Sequence, residues 1–387
     1  MDTVITAGRV LPRPSAPVLD GAVLVRDGVL VAAGPRAEVL PQAAPDAARY
    51  DFPTATAMAG LFNVHVHLAF DASREMLAHF QAGTSVEDAR SRLSSMLRSG
   101  VTTVRDLGDR DHLGAAVRRS FAGSAAPRLL VSGPPITVPH GHCHFFGGEV
   151  TSDESIRALI DANAAAGADV IKVMASGGQI TEGGADMWES QFSARELSVV
   201  VSHAASHGLP VAAHAHGADA IEAAVEAGVS TVEHCSFLTG PRSFDRRSAV
   251  AARMAESGIS ACSTSSRNWR VIVEKLGDEA AEAMYGRLPW LEEHGVRLLA
   301  GTDAGLPGSV FDDPVGALEL YEWLGFSRRR ILEIATCDSA AGLGLADVTG
   351  RLEAGLAADV LVVEGDPLAS LAALRNPVLV MAQGLIA

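Results

Sequence analysis

Residues 210–237 read PVAAHAHGADAIEAAVEAGVSTVEHCSF. Pro210–His214 is a short apolar run, Ala218–Ala227 carries a helical pattern, and Thr231–His234 is a second apolar run. Strands that are apolar along their whole length are buried on both faces. Two of them joined by a helix lie parallel in one sheet. Both runs end on histidine, at His214 and His234.

The same unit recurs on either side. Apolar runs at Val101–Arg105, Arg128–Ser132, Val170–Met174, Ile259–Ser263 and Arg297–Ala300 alternate with helical patterns at Ser85–Ser99, Ser152–Ala166, Ala194–His207 and Asp313–Leu324. Adding Leu61–His67 brings the strands to eight, the number of a closed (β/α)8 barrel. The expected class is therefore α/β with a TIM-like barrel. A doubly wound open sheet is the alternative. It usually carries a glycine-rich phosphate turn after its first strand, and Gly60-Leu61-Phe62-Asn63 is not GxGxxG.

The two ends of the chain have another texture. Val4–Thr6, Ala22–Arg26 and Val29–Ala33 are β-rich, and Asp27-Gly28 is a hairpin signal. Asp359–Val363 and Val378–Met381 are similar. These ends predict one small β-sandwich domain, residues 1–57 with 346–387, beside a catalytic barrel over 58–345.

The 387 residues are 48% apolar and 20% charged, as in a packed globular protein. The formal net charge of −15 argues against nucleic acid or an anionic membrane as partner, because both require a positive patch. The N-terminus lacks the charged and apolar regions of a signal peptide, and no run of about 18 apolar residues exists. Four scattered cysteines form no CxxC pair, so neither a thiolate zinc site nor a disulfide framework is expected. A cytoplasmic enzyme acting on a small molecule is the default expectation. The oligomeric state is open, and a homo-oligomer is compatible with the sequence.

In a barrel the chemistry sits where strands end. His65-Val66-His67 places two imidazoles on one face of a strand, a metal-ligand arrangement. Other strands end in His214-Ala215-His216, Glu233-His234 and Thr302-Asp303. Lys172 lies inside the apolar run 170–174, and it is one of two lysines among 31 basic residues. A buried ammonium without a partner tends to lose its proton. The neutral amine can react with carbon dioxide to give a carbamate whose two oxygens can bridge two metal ions. A Schiff-base lysine and one snorkelling to the rim are the other readings.

These motifs together resemble the amidohydrolase superfamily, in the branch of imidazolonepropionase-like hydrolases and Xaa-Pro and Xaa-Arg dipeptidases. AGLFNVHVH (59–67) is similar to the family's first-strand motif, with Asn63 where Asp is usual. GVTTVRDLG (100–108), IKVMASGG (171–178), AAHAHG (212–217), VEHCSF (232–237), GTDAG (301–305) and GRLEAGLAADVLVVEGDPL (350–368) follow in the family's order. The resemblance implies a binuclear site, usually zinc. His65, His67 and Asp303 would hold one ion and His214 and His234 the other, with carboxylated Lys172 between them. Asp303 would move the proton, so Asp303, His234 and Lys172 are the catalytic candidates. His216 would face the substrate or support the ligands.

Substrate contacts are expected from three loops. PHGHCHFFGGE (139–149) resembles a loop that lies over the site in this branch, which makes His140, His142 and His144 candidates. Spacing alone also allows them a further metal. After the fourth strand come Gln179, Thr181, Trp188 and Gln191, and after the seventh Ser263, Ser265, Arg267 and Trp269. Arg105-Asp106 reads as a structural salt bridge, and the remaining histidines as packing or surface residues.

The implied reaction is hydrolysis of a C–N bond in an amide, carbamate, urea, N-acyl amino acid or dipeptide. A cyclase of secondary metabolism, closing a benzoxazole-like heterocycle with the same metals, is the alternative. Deamination usually goes with a site lacking the lysine. A binding protein without activity would be missing a ligand, and none is missing here.

Overall fold

A computed structural model describes residues 1–387. The chain opens on β1 (Asp2–Leu11), β2 (Val18–Arg26), β3 (Val29–Pro35) and β4 (Ala48–Ala59). β1 and β2, and β2 and β3, pair antiparallel, whereas β4 lies parallel to β1. The β2–β3 turn is Asp27-Gly28, with φ of 50° and 81°. Two positive φ values give the turn whose twist matches the flanking strands.

β4 runs into β5 (Leu61–Val66) through Gly60, where a Cβ would overlap the Thr102 side chain. β6 (Val101–Asp106) and β7 (Arg128–Val131) follow parallel to β5. A second sheet holds β8 (Ile171–Met174), β9 (Val211–Gly217), β10 (Thr231–Gly240), with β11 (Ser243–Phe244) as a hairpin on β10, β12 (Ser260–Cys262) and β13 (Leu298–Leu299). All but β11 are parallel.

The two sheets touch at both ends. Ile136, beyond β7, accepts from the Met174 amide at 2.9 Å and donates to Lys172 at 2.8 Å. Val64 donates to Ala300 and His67 to Ala304, each at 2.8 Å. The pairing thus passes from β5 through the other strands and returns to β5. Helices Val86–Arg98, Leu113–Ser120, Asp153–Ala165, Ala194–Ser206, Ala218–Ala227, Ser248–Glu256 and Pro314–Trp323 lie between strands in the chain. Three start on serine capping boxes, at Ser85, Ser152 and Ser193, which satisfy amides of the first turn. Their apolar faces and the strands share one buried cluster of 69 residues. An α/β fold of parallel sheets and helices is what the alternating runs predict.

β14 (Val360–Glu364) returns antiparallel on β4, followed by β15 (Pro377–Ala382) and β16 (Leu385–Ile386). The seven terminal strands form one path, β16-β15-β14-β4-β1-β2-β3. Three helices after β12, Trp269–Leu276, Asp278–Tyr285 and Arg287–Glu293, were not predicted. No helix is long and apolar enough to cross a membrane.

Candidate metal centre

His65 and His67 leave β5 on one face, as their spacing requires. Their Nε2 atoms stand 3.4 and 3.3 Å from Asp303 Oδ1. That oxygen is buried and has no hydrogen-bond partner. A buried carboxylate oxygen left bare is costly, and a cation between it and the two nitrogens would relieve the cost. Asp303 adopts a φ of 56°, strained for a residue with a side chain, while its amide donates to His65 O at 2.9 Å. Burial pushes the Asp303 carboxyl up, but His65 and His67 more than offset this and hold it at about 2.

His65 is oriented from behind. Its Nδ1 lies 2.8 Å from Glu233 Oε2. The Glu233 carboxylate is itself bound by Arg105 Nη2 at 2.7 Å and the Thr231 hydroxyl at 2.6 Å. Burial would raise Glu233, yet Arg105 and His65 keep it lowered and ionised. It can only accept, so His65 Nδ1 carries the proton and Nε2 is left with a lone pair. Arg105 therefore pairs across the interior with Glu233 rather than with adjacent Asp106. Asp106 instead accepts the Leu68 and Gly108 amides, each at 3.2 Å.

His214 and His234 approach from β9 and β10, ring centroids 4.5 Å apart, and His234 is 5.4 Å from His65. His214 Nε2 donates to Gly177 O at 3.0 Å, which frees Nδ1. The Thr264 hydroxyl donates to Ser263 O at 2.7 Å and accepts from His234 Nδ1 at 2.6 Å, which frees Nε2. β10 loses its register with β9 between His234 and Leu238, and His234, Cys235 and Phe237 all have positive φ. This break turns the His234 ring toward the cluster. Burial, reinforced by the crowding of the other imidazoles and Lys172, which penalises any added positive charge, drives His214 and His234 well below the ordinary histidine range and His65 to about 4. All three are neutral near pH 7, the form that binds metal. Lys172, 1% exposed on β8, forms no ion pair, and burial lowers its pKa against the pull of Glu233 and Asp303.

The amidohydrolase family model matches residues 56–386. The chain belongs to the amidohydrolase family. Ochratoxinase from Aspergillus niger is 27% identical, covering 97% of this chain and 84% of its own. Imidazolonepropionase from Mesorhizobium japonicum is 25% identical over 88% and 86%. A solved Xaa-Pro dipeptidase with methionine in its active site has a TM-score of 0.85 at 24% identity, covering all of both chains. The A. niger ochratoxinase structure also reaches 0.85, at 23% identity over 100% of this chain and 95% of that one.

Beside the ligand cluster this amidohydrolase has a cavity of about 440 Å³. Gln179, Trp188, His216, His234, Ser263, Ser265 and Trp269 line it, as the loop positions suggest. His216 stacks on His234 at 4.2 Å and bonds Ser236 Oγ at 3.0 Å. Of the three loop histidines only His142 is buried in the cluster, with its ring 4.6 Å from His214. His140 and His144 pair with each other at 6.0 Å, because positive φ at His140 and Cys143 breaks the extended alternation. The three do not converge on a metal. Thr181 and Gln191 hold this loop, bonding the Cys143 amide at 2.9 Å and the His142 amide at 2.7 Å.

Arg267 stands apart, in a groove beside Asp313 at 4.0 Å. The buried arginine of the amidohydrolase cavity is Arg287, which the sequence reading misses. Its only signal in the chain is an arginine opening a helix behind the seventh strand. Another cluster lies outside the site: His203 and His207 each place Nε2 2.7 Å from Asp161 Oδ1 on the outer helices.

Proposed function

We propose that the chain is a metal-dependent hydrolase cleaving a C–N bond of a small amide, carbamate, urea, N-acyl amino acid or dipeptide. The observation that carries this is the bare Asp303 Oδ1 facing two histidine nitrogens. We read the parallel strands as one (β/α)8 barrel over 58–345, and residues 1–57 with 346–387 as the small β-sandwich domain. The likeness to ochratoxinase and imidazolonepropionase supports hydrolysis.

His65, His67 and Asp303 would hold one divalent ion of the zinc class, and His214 and His234 a second. Lys172 would join them after its amine has added carbon dioxide and released a proton. When bound, the ions supply Lewis acidity at the carbonyl and lower the pKa of water. Asp303, ionised at neutral pH, accepts the proton of the attacking water and passes it to the leaving nitrogen. Glu233 and Arg105 keep His65 in the tautomer that leaves Nε2 free. The cavity beside His234 takes the body of the substrate.

Metal analysis of purified protein, combined with a panel of N-acyl amino acids, dipeptides and aryl amides, tests the reading. About two zinc-class ions per chain and release of free amine are expected. Fewer than about one ion per chain overturns it. Ring closure on o-hydroxyanilides without amine release would reassign the reaction as cyclisation.

A further inference from the structure

The cavity holds a positive charge that no carboxylate in the chain neutralises. Arg287 is 4% exposed and lines the cavity next to His234. Its Nε donates to His234 O at 3.2 Å, Nη1 to Met284 O at 2.9 Å and Nη2 to Ser263 O at 3.4 Å. All three acceptors are neutral carbonyls. The ionisable groups around it include Cys235, Tyr285, Tyr321, His216 and Arg246, with no carboxylate among them, and no carboxylate forms an ion pair with it. Burial raises the Cys235 thiol and the Tyr285 and Tyr321 hydroxyls, so they stay protonated and supply no negative charge.

Arg105 gives the contrast. It is as deeply buried, 3% exposed, and has Glu233 at 2.7 Å. Buried guanidinium groups normally have such a partner, because an uncompensated one is strongly unfavourable. Five N–H donors serve a guanidinium, and three are used here, so two remain for an incoming acceptor. Their planar fork matches a carboxylate. Part of the surrounding wall is apolar and aromatic, built from Trp188, Leu238, Phe244, Trp269 and Met284, beside a polar stretch that includes Ser263–Ser266 and the exposed Arg242.

We propose that Arg287 is the specificity-determining residue that binds the carboxylate of the substrate, and that this substrate is an N-acyl amino acid with a bulky aromatic or aliphatic side chain. The inference rests on the hydrolytic reading of the adjoining metal centre. Hydrolysis breaks the acyl C–N bond, the carbonyl carbon takes the oxygen of water, and the nitrogen takes its proton. The carboxylate held by Arg287 is unchanged by the reaction and leaves with the amine product.

The test compares N-acetyl-L-phenylalanine with N-acetyl-L-phenylalaninamide on the metal-loaded protein. Wild type should favour the carboxylate by roughly 30-fold or more in kcat/KM, mainly through KM. Arg287→Met should collapse that ratio, and Arg287→Lys should restore part of it. A ratio near one in wild type, or one that survives in Arg287→Met, overturns the proposal. A residue that merely clamps the His234 carbonyl would lower both substrates together and leave the ratio intact. Calorimetry with 3-phenylpropionate and its amide reads the anchor without turnover. If neither substrate is cleaved but the carboxylate alone binds, the hydrolytic reading fails and the anchor stands. Should Arg287→Met not fold, equal binding of the acid and amide to wild type still overturns the anchor.

Discussion

Two places in this chain bring a pair of histidines to one aspartate oxygen, and their situations are opposite. On the outer helices Asp161 Oδ1 takes both His203 and His207 at 2.7 Å, in reach of solvent. Those hydrogen bonds lower the Asp161 pKa, and the cluster is satisfied by its own members. At the strand ends Asp303 Oδ1 stands 3.3 and 3.4 Å from His67 and His65, buried and bonded to neither. The residue types are the same. What separates them is whether the lone pairs are already committed, and whether water can reach those that are not. Of the two, only the buried set leaves its shared carboxylate oxygen without a hydrogen bond.

The largest effect should come from the buried oxygen itself. Asp303→Ala is expected to cut kcat by at least ~10³-fold and to release bound metal, read by steady-state kinetics and metal analysis. Lys172→Ala should likewise lose metal and activity together, and the native wild-type mass should exceed the sequence mass, bound metal aside, by that of one carbon dioxide. Asp161→Ala causing losses of the same order would erase the distinction between the two clusters.

The next effect is on pH. His65 and His142 have folded pKa values of about 4, set first by burial, against an ordinary 6.5. Between these values the unfolded chain binds protons that the native state refuses. Stability of the metal-free protein should therefore be full above about pH 6.5 and fall as pH drops toward about 4. His65 alone would contribute on the order of 3 kcal/mol. Denaturant melts from pH 7 to 4.5 measure it, and a flat profile would show the buried imidazoles to be far better solvated than their packing implies.

Glu233→Gln should act more gently. It keeps the shape but removes the charge that fixes His65, so metal affinity should fall by roughly 10–100-fold with the fold intact. Titration with a chelator-buffered metal reads this, and unchanged affinity would mean that His65 needs no support. Smallest of all, Asp161→Ala should leave both the melting temperature and kcat within measurement error of wild type, since exposed pairs contribute little.

Much of the site was legible because a parallel strand announces where it ends. His65, His67, His214, His234 and Asp303 stand at or just beyond the ends of short apolar runs, the family resemblance separates His214 from His216, and the structure brings all five together. Lys172 stood out by its neighbours. Long-range pairing was not legible. Arg105 reaches Glu233 across 128 positions, and no local pattern distinguishes that partner from adjacent Asp106. The loop histidines misled because alternating spacing implies a common face only in extended chain, and positive φ at His140 and Cys143 turns the backbone there. Arg267 and Arg287 show the same limit. Proximity to a tryptophan in sequence pointed to the first, while burial without a counter-charge, visible only in three dimensions, singles out the second.

β4 has one further consequence, which concerns the order of synthesis. Its one side pairs with β1 within the first strands made, and its other side pairs with β14, with Ala57 opposite Val362. On the ribosome that second edge must wait until the whole run of parallel strands has emerged. Until then it is an open template for another chain. The last segment therefore closes an aggregation-prone seam that translation leaves exposed, and a chain stopped short of Val360 should accumulate as insoluble material even with every metal ligand in place.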